Sequence, residues 1–254
     1  MNKIEIAAVK IKNSINRIFP GEYEKKFTSA IITAGGSGTR LGGAPKQLRK
    51  ICGAPCILYS LLAFQNCKEI DEIVVVVREG QQNEVSELCR THDISKLTSI
   101  VLGGDSRQES VSNGFFAISQ KSNMVAIHDA ARPLILPHQI SDLLEKANRY
   151  GAATAAKKAS DTLKRADKNA MILETVPRED LYNVQTPQVF KVDLYRVALA
   201  LAKNDGFTVT DDCSLAEHAG FPVKLVELDG PNFKLTTEDD LITITSVLKE
   251  REHA

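Results

Sequence analysis

The feature that most restricts this chain is a short apolar run, Ser29-Ala30-Ile31-Ile32-Thr33, that passes directly into Ala34-Gly35-Gly36-Ser37-Gly38-Thr39-Arg40-Leu41-Gly42-Gly43-Ala44-Pro45-Lys46-Gln47. An apolar run of that length ahead of glycines predicts a buried parallel strand ending at the carboxyl edge of a sheet, where open α/β sheets hold their ligands. Glycine lets a backbone take positive φ and approach an anion closely, so several N–H groups can converge on it. Arg40 and Lys46 add full charges, one a planar fork and the other a compact point. Two commoner glycine loops do not fit. A Walker loop ends in Gly-Lys-Ser/Thr, whereas Lys46 lies between Pro45 and Gln47. A dinucleotide fingerprint needs a third glycine where Leu41 stands, and an acidic residue about twenty positions on, where the chain has Pro55 to Leu62.

The same pattern recurs downstream. Ile73 to Val77 predicts a second buried strand. Leu97 to Leu102 predicts a third, ending in Gly103-Gly104-Asp105-Ser106-Arg107-Gln108-Glu109-Ser110, a glycine turn with a helix start behind it. Met124 to His128 predicts a fourth, followed by Asp129-Ala130-Ala131-Arg132-Pro133. Helices are expected from Pro55 to Asn66, Gln81 to Thr91, Pro137 to Tyr150, Val192 to Lys203, Asp211 to Ala219 and Thr237 to Lys249. Asp161 to Arg165 and Met171 to Val176 read as a hairpin turning at Asp167-Lys168-Asn169, with so few large apolar residues that it should project from the body.

With 254 residues, the chain is long enough for one substantial core, and its 32 basic and 32 acidic residues cancel. No global field therefore recruits nucleic acid or an anionic membrane, and a phosphate site must be local. No apolar run is long enough to cross a bilayer. Cys52, Cys56, Cys67, Cys89 and Cys213 form no CxxC pair, and an odd set without a signal peptide points to reduced thiols in a cytoplasm. Residues 1–27 carry Ile4, Ala8, Ile11, Ile15 and Ile18 at helical spacing, which predicts an amphipathic extension docked on the body or on a partner subunit.

The glycine loop with its Pro45-Lys46-Gln47 resembles that of the sugar-phosphate nucleotidyltransferases. Eight segments in order resemble one branch, the 2-C-methyl-D-erythritol 4-phosphate cytidylyltransferases: Gly35 to Gln47, Gly103 to Ser110, His128 to Pro133, Asp161-Thr162, Thr175 to Arg178, Gln185 to Gln188, Thr210 to Asp212, and Asn232 to Lys234. The resemblance implies a single Rossmann-like α/β domain over 28–254, with a mostly parallel sheet and a projecting hairpin arm at about 160–180. It also implies cytidylyl transfer from CTP with Mg²⁺ bound mainly through the CTP phosphates, no metal ligands from the protein itself, and a homodimer sharing its active sites. Carried over by position, Arg40, Lys46, Arg178 and Lys234 are the expected catalytic residues. Ala34, Gly35, Gly36, Gly38, Gly104, Asp105, Ser110 and Ala130 would hold CTP, while Asp129, Arg132, Thr162, Thr186 and Thr210 would face methylerythritol phosphate. Thr162 and Arg178 would arrive from the partner's hairpin. His128, ending an apolar strand, reads as a structural histidine.

Two other readings fit parts of this pattern. A ribitol-5-phosphate cytidylyltransferase shares the loop but tends to carry Ser-Val in place of Ala130-Ala131. A non-catalytic nucleotide-binding protein could share the fold, and intact Arg40, Lys46 and Lys234 argue against it.

Overall fold

The structure is a computed structural model that describes residues 27–36 and 45–252. The predicted N-terminal helix, Gly38 and Arg40 lie outside the described residues. In chain order the strands are β1 (Thr28–Thr33), β2 (Lys50–Ile51), β3 (Ala54–Pro55), β4 (Glu72–Val77), β5 (Leu97–Leu102), β6 (Met124–Asp129), β7 (Ala152–Lys158), β8 (Leu163–Ala166), β9 (Ile172–Val176), β10 (Tyr182–Lys191) and β11 (Lys224–Glu227). The helices are α1 (Cys56–Asn66), α2 (Gln82–Thr91), α3 (Arg107–Ala117), α4 (Pro137–Tyr150), α5 (Val192–Asn204), α6 (Asp212–His218) and α7 (Glu238–Glu252). A single 3-10 turn at Lys46–Leu48 follows the glycine loop.

Seven strands form the main sheet in the order β11-β7-β10-β6-β1-β4-β5. Only β10 runs against its neighbours, β6 and β7. The β-branched and fully buried Ile73-Val74-Val75-Val76-Val77 stretch of β4 is what a strand covered on both faces requires. From β1 the chain first builds outward through β4 and β5, then returns to place β6 on the other side of β1. The order therefore reverses between β1 and β6, and Thr33 pairs in register with Asp129 at the carboxyl end of that crevice.

Each face of the sheet has its own apolar layer. Phe64, Ile140 and Leu143 pack with Ile32 and Val75 on one side, while Phe115, Tyr195 and Phe221 pack with Ile31 and Phe190 on the other. Helix α7 closes a smaller cluster through Ile244, Leu248, Leu134 and Ile51. In contrast, the β8–β9 hairpin is exposed, with Met171 66%, Ile172 65% and Leu173 63% accessible. The expected shortage of apolar residues there is thus only relative: those present face outward.

Helix α3 lies unusually near the sheet because of Gly114. A Cβ at that position would come within 2.7 Å of Ile31 Cγ2 and 2.8 Å of Val76 Cγ2, both on stiff β-branched side chains. Gly114→Ala should gain about 1 kcal/mol of helix propensity and lose about 2–3 kcal/mol to overpacking, a net destabilisation of about 1–2 kcal/mol. Urea unfolding of the two proteins measures this, and an equally or more stable alanine variant would show that α3 does not depend on the close approach.

Candidate active site

A pocket of about 320 Å³ opens at the crevice and is lined by Thr33, Ala34, Gly35, Gly36, Lys46, Gln47, Arg78, Gly104, Asp105, Ser106, Arg107, Ser110, Asp129, Ala131 and Lys234. Its walls come from the ends of β1, β4, β5 and β6, the start of α3, and the segment before α7. Ser106 caps α3 by accepting the Glu109 backbone N–H at 3.0 Å, and the Glu109 carboxylate accepts the Asp105 N–H at 2.9 Å. Ser110 Oγ accepts the Gly104 N–H at 3.1 Å and donates to the Ser106 carbonyl at 2.8 Å. Gly103 is required by this arrangement, since a Cβ there would lie 2.7 Å from Ser110 Oγ.

Asp129 forms the floor. Lys234 Nζ lies 2.5 Å from its Oδ2, Arg107 Nε 3.8 Å from Oδ1, and Arg132 Nε 4.0 Å from Oδ2. Thr33 donates its hydroxyl to Oδ1 at 3.3 Å. Burial alone would raise this carboxyl, but Lys234, Arg107 and Arg132 together hold it well below the ordinary carboxylate range. Arg107 is itself anchored 2.8 Å from Oδ2 of Asp212, a side chain only 1% exposed. Tyr195 donates to the other Asp212 oxygen at 2.7 Å, and the Asp212 N–H goes to Gln188 Oε1 at 2.8 Å.

Behind Asp129 runs a fully specified relay. The Arg132 carbonyl can only accept, so His128 Nε2, 3.2 Å away, carries the ring proton. His128 Nδ1 is then an acceptor for the Thr186 hydroxyl at 3.1 Å, which leaves Thr186 Oγ1 to accept the Asp129 N–H at 3.0 Å. Burial pushes the imidazole down to about 4, so it stays neutral, in keeping with a structural role. Asn232 closes the chain by donating its side-chain amide to the Thr186 carbonyl at 2.8 Å, and its backbone carbonyl accepts from Arg132 Nη1 at 2.7 Å.

The expected site residues therefore separate into groups. Ala34, Gly35, Gly36, Lys46, Gly104, Asp105, Ser110, Asp129 and Lys234 meet in one pocket. Arg132 and Thr186 stand behind it and brace Asp129. Ala130 is wholly buried, donating its N–H to the Thr33 carbonyl at 3.0 Å, and Ala131 lines the pocket in its place. Thr210 is exposed just ahead of the α6 cap, Asp211, and does not line the pocket. Thr162 and Arg178 are exposed on and beside the hairpin and do not line it either; Arg178 Nη1 donates to the Ser160 carbonyl. Two pocket cations were not singled out from the sequence: Arg107, and Arg78, whose Nε donates to the Gly35 carbonyl at 2.7 Å.

The chain is similar in sequence and in fold to known proteins. A family model described as IspD, 2-C-methyl-D-erythritol 4-phosphate cytidylyltransferase, matches residues 28–250. The chain is 39% identical over 221 residues to the protein of that name from Dehalococcoides mccartyi, covering 87% of this chain and 96% of the relative. It is 40% identical over 225 residues to the one from Halalkalibacterium halodurans, covering 88% and 98%. Among solved structures, the 4-diphosphocytidyl-2C-methyl-D-erythritol synthase of Anaerococcus prevotii superposes with a TM-score of 0.78 at 30% identity, covering 89% of this chain and all of that one. The cytidylyltransferase of Thermus thermophilus superposes at 0.72 with 31% identity, covering 88% and 99%. From the glycine loop to the last helix, in sequence and in fold, the chain belongs to the 2-C-methyl-D-erythritol 4-phosphate cytidylyltransferase family.

Proposed function

We propose that the crevice pocket is where CTP and 2-C-methyl-D-erythritol 4-phosphate react. The reaction is the family's own, cytidylyl transfer in the non-mevalonate route to isoprenoid precursors, giving 4-diphosphocytidyl-2-C-methyl-D-erythritol and pyrophosphate. The observation that carries the siting is that Lys46 and Lys234, far apart in the chain, line one glycine-walled pocket with Asp129 between β1 and α7.

The attacking group is a phosphate oxygen, already an anion, and the bond that breaks joins the α-phosphorus to the pyrophosphate. No strong base is needed: of the two carboxylates on the described pocket wall, Asp129 is tied to Lys234 and Asp105 is solvent-exposed, and His128 is buried with both nitrogens engaged. Catalysis in this reading is alignment of two anions plus stabilisation of charge at the five-coordinate phosphorus by Arg40 and Lys46. Gly104, Asp105 and Ser110 take the cytosine and ribose, and Lys234 and Asp129 take the acceptor.

Mg²⁺ would arrive on the triphosphate. Mg²⁺ commonly keeps several waters and binds through substrate phosphates with only one or two carboxylates. A cytoplasmic setting belongs to the same reading, supported by five unpaired cysteines. Among the described residues no helix is long and apolar enough to cross a membrane.

A homodimer completes the site. The exposed Met171, Ile172 and Leu173 give the hairpin an apolar surface that its own chain leaves uncovered, and Thr162 and Arg178 are then available to a neighbour's pocket.

Arg40→Ala or Lys46→Ala should lower kcat on the order of 100-fold, a loss of about 3 kcal/mol, with cytidine affinity little changed, because each charge is needed most in the transition state. Steady-state pyrophosphate release alongside CMP binding separates the two, and near wild-type turnover would sink the loop assignment. Arg178→Ala and Lys234→Ala should each be nearly inactive alone. A mixed dimer places both lesions in one pocket and leaves the other intact. Random assortment makes about half the dimers mixed, so co-refolding should recover about one quarter of wild-type activity. No recovery under verified subunit exchange would mean that both residues serve the same pocket from one chain.

A further inference from the structure

We infer that Arg107 is a positioning residue for the transfer reaction: anchored on Asp212, it keeps Asp129 a carboxylate after Lys234 leaves Asp129 for the acceptor's phosphate. The inference rests on the reading of the pocket given above.

Lys234 Nζ lies 2.5 Å from Asp129 Oδ2. The lysine side chain is 36% exposed and the aspartate 10%, so the cation can swing toward a ligand and the carboxylate cannot follow. A phosphate dianion carries more charge than a carboxylate and competes for the ammonium group. The carboxylate left behind is buried, and burial favours its neutral form.

The groups that then face Asp129 include one opposing charge, the buried Asp212 carboxylate of α6 on the far side of Arg107. From α3 comes Arg107, 3.8 Å from Oδ1. From the turn after β6 comes Arg132, 4.0 Å from Oδ2, with an Nε–H that has no hydrogen-bond partner. From β1 comes the neutral Thr33 hydroxyl, and from β10 comes Thr186, which contacts the backbone N–H only. His128, the residue before it in β6, is neutral. Across the pocket, Lys46 is another cation on the lining.

Arg107 differs from Lys234 in having a second, buried acidic partner. Asp212, its partner at 2.8 Å, is 1% exposed and fixed by Tyr195 and Gln188. Arg107 therefore stays at Asp129 while the lysine moves. An ionised Asp129 presents two acceptor oxygens to the hydroxyl groups of the polyol phosphate, whereas a protonated one spends an oxygen as a donor.

The test is the pH dependence of kcat and of kcat/KM for wild type, Arg107→Met and Arg107→Lys. The kcat/KM profile reports the free enzyme, where Lys234 still holds Asp129, so its acid limb should move less in Arg107→Met than the kcat limb does. The kcat profile reports the bound enzyme, and its acid limb should move up by about one pH unit or more in Arg107→Met and return toward wild type in Arg107→Lys. A kcat limb in Arg107→Met that coincides with wild type, at any amplitude, overturns the proposal.

A second measurement needs no Arg107 variant to fold. In Lys234→Met, Arg107 should hold the Asp129 pKa in the folded state at or below its unfolded value, so the Tm relative to wild type stays level between pH 7 and pH 5. If burial prevails instead, the folded pKa rises above the unfolded one, the folded state takes up the proton, and the variant gains on wild type as pH falls. That gain overturns the proposal. Wild type that fails to turn over CTP with methylerythritol phosphate would refute the functional reading alone, because the Tm comparison does not depend on it.

Discussion

One buried carboxylate makes the rest of this site possible. Lys234, Arg107 and Arg132 converge from three separate segments on Asp129, and without it their mutual repulsion in a partly desolvated crevice would cost several kcal/mol. Its position is set by β-sheet register. Thr33 and Asp129 face one another as the last paired residues of β1 and β6, at the point where strand order reverses. The neutral chain of His128, Thr186 and the Asp129 N–H then fixes the backbone that carries the carboxylate, using every polar atom on that path. A charged histidine there would have to donate toward Thr186, whose oxygen would then have to accept from both sides.

Much of this was legible in sequence because the chemistry sits in local patterns. The β1, β4 and β6 runs are continuous apolar stretches, and the residues immediately after them must lie at one edge of the sheet. Ala34 to Gly36, Gly104, Asp105, Ser110 and Asp129 are found in the pocket for that reason. Lys234 has no such local signal, and only its place in the eighth of eight ordered segments marks it. Arg107 was passed over because an arginine in the first turn of a helix looks like a solvated surface residue. Its role comes from Asp212, more than a hundred positions away, and no periodicity connects them. Ala130 is buried because its N–H extends the β1 pairing, and it is the next residue, Ala131, that lines the pocket, a one-residue difference that no sequence pattern marks. The direction of β10 was equally hidden, because an extended run looks the same whether it lies parallel or antiparallel to its neighbours.

The electrostatics also explain how a chain with no net charge can serve two anionic substrates. Basic and acidic residues cancel over the whole sequence, yet Lys46, Arg78, Arg107 and Lys234 line the pocket against Asp105 and Asp129. At physiological salt the reach of such a cluster is about 8 Å, so it acts on a ligand already in the crevice and not on one at a distance. Within that range the problem is mutual repulsion: a triphosphate and a phosphate must approach to bonding distance. Cations placed between them relieve the repulsion most where the charges are closest, which is at the transition state. Asp129 gathers those cations, with Lys234 the partly exposed member of its pair and the carboxylate the buried one. In this reading the site works through placed charges, held in position by a carboxylate that does not itself react.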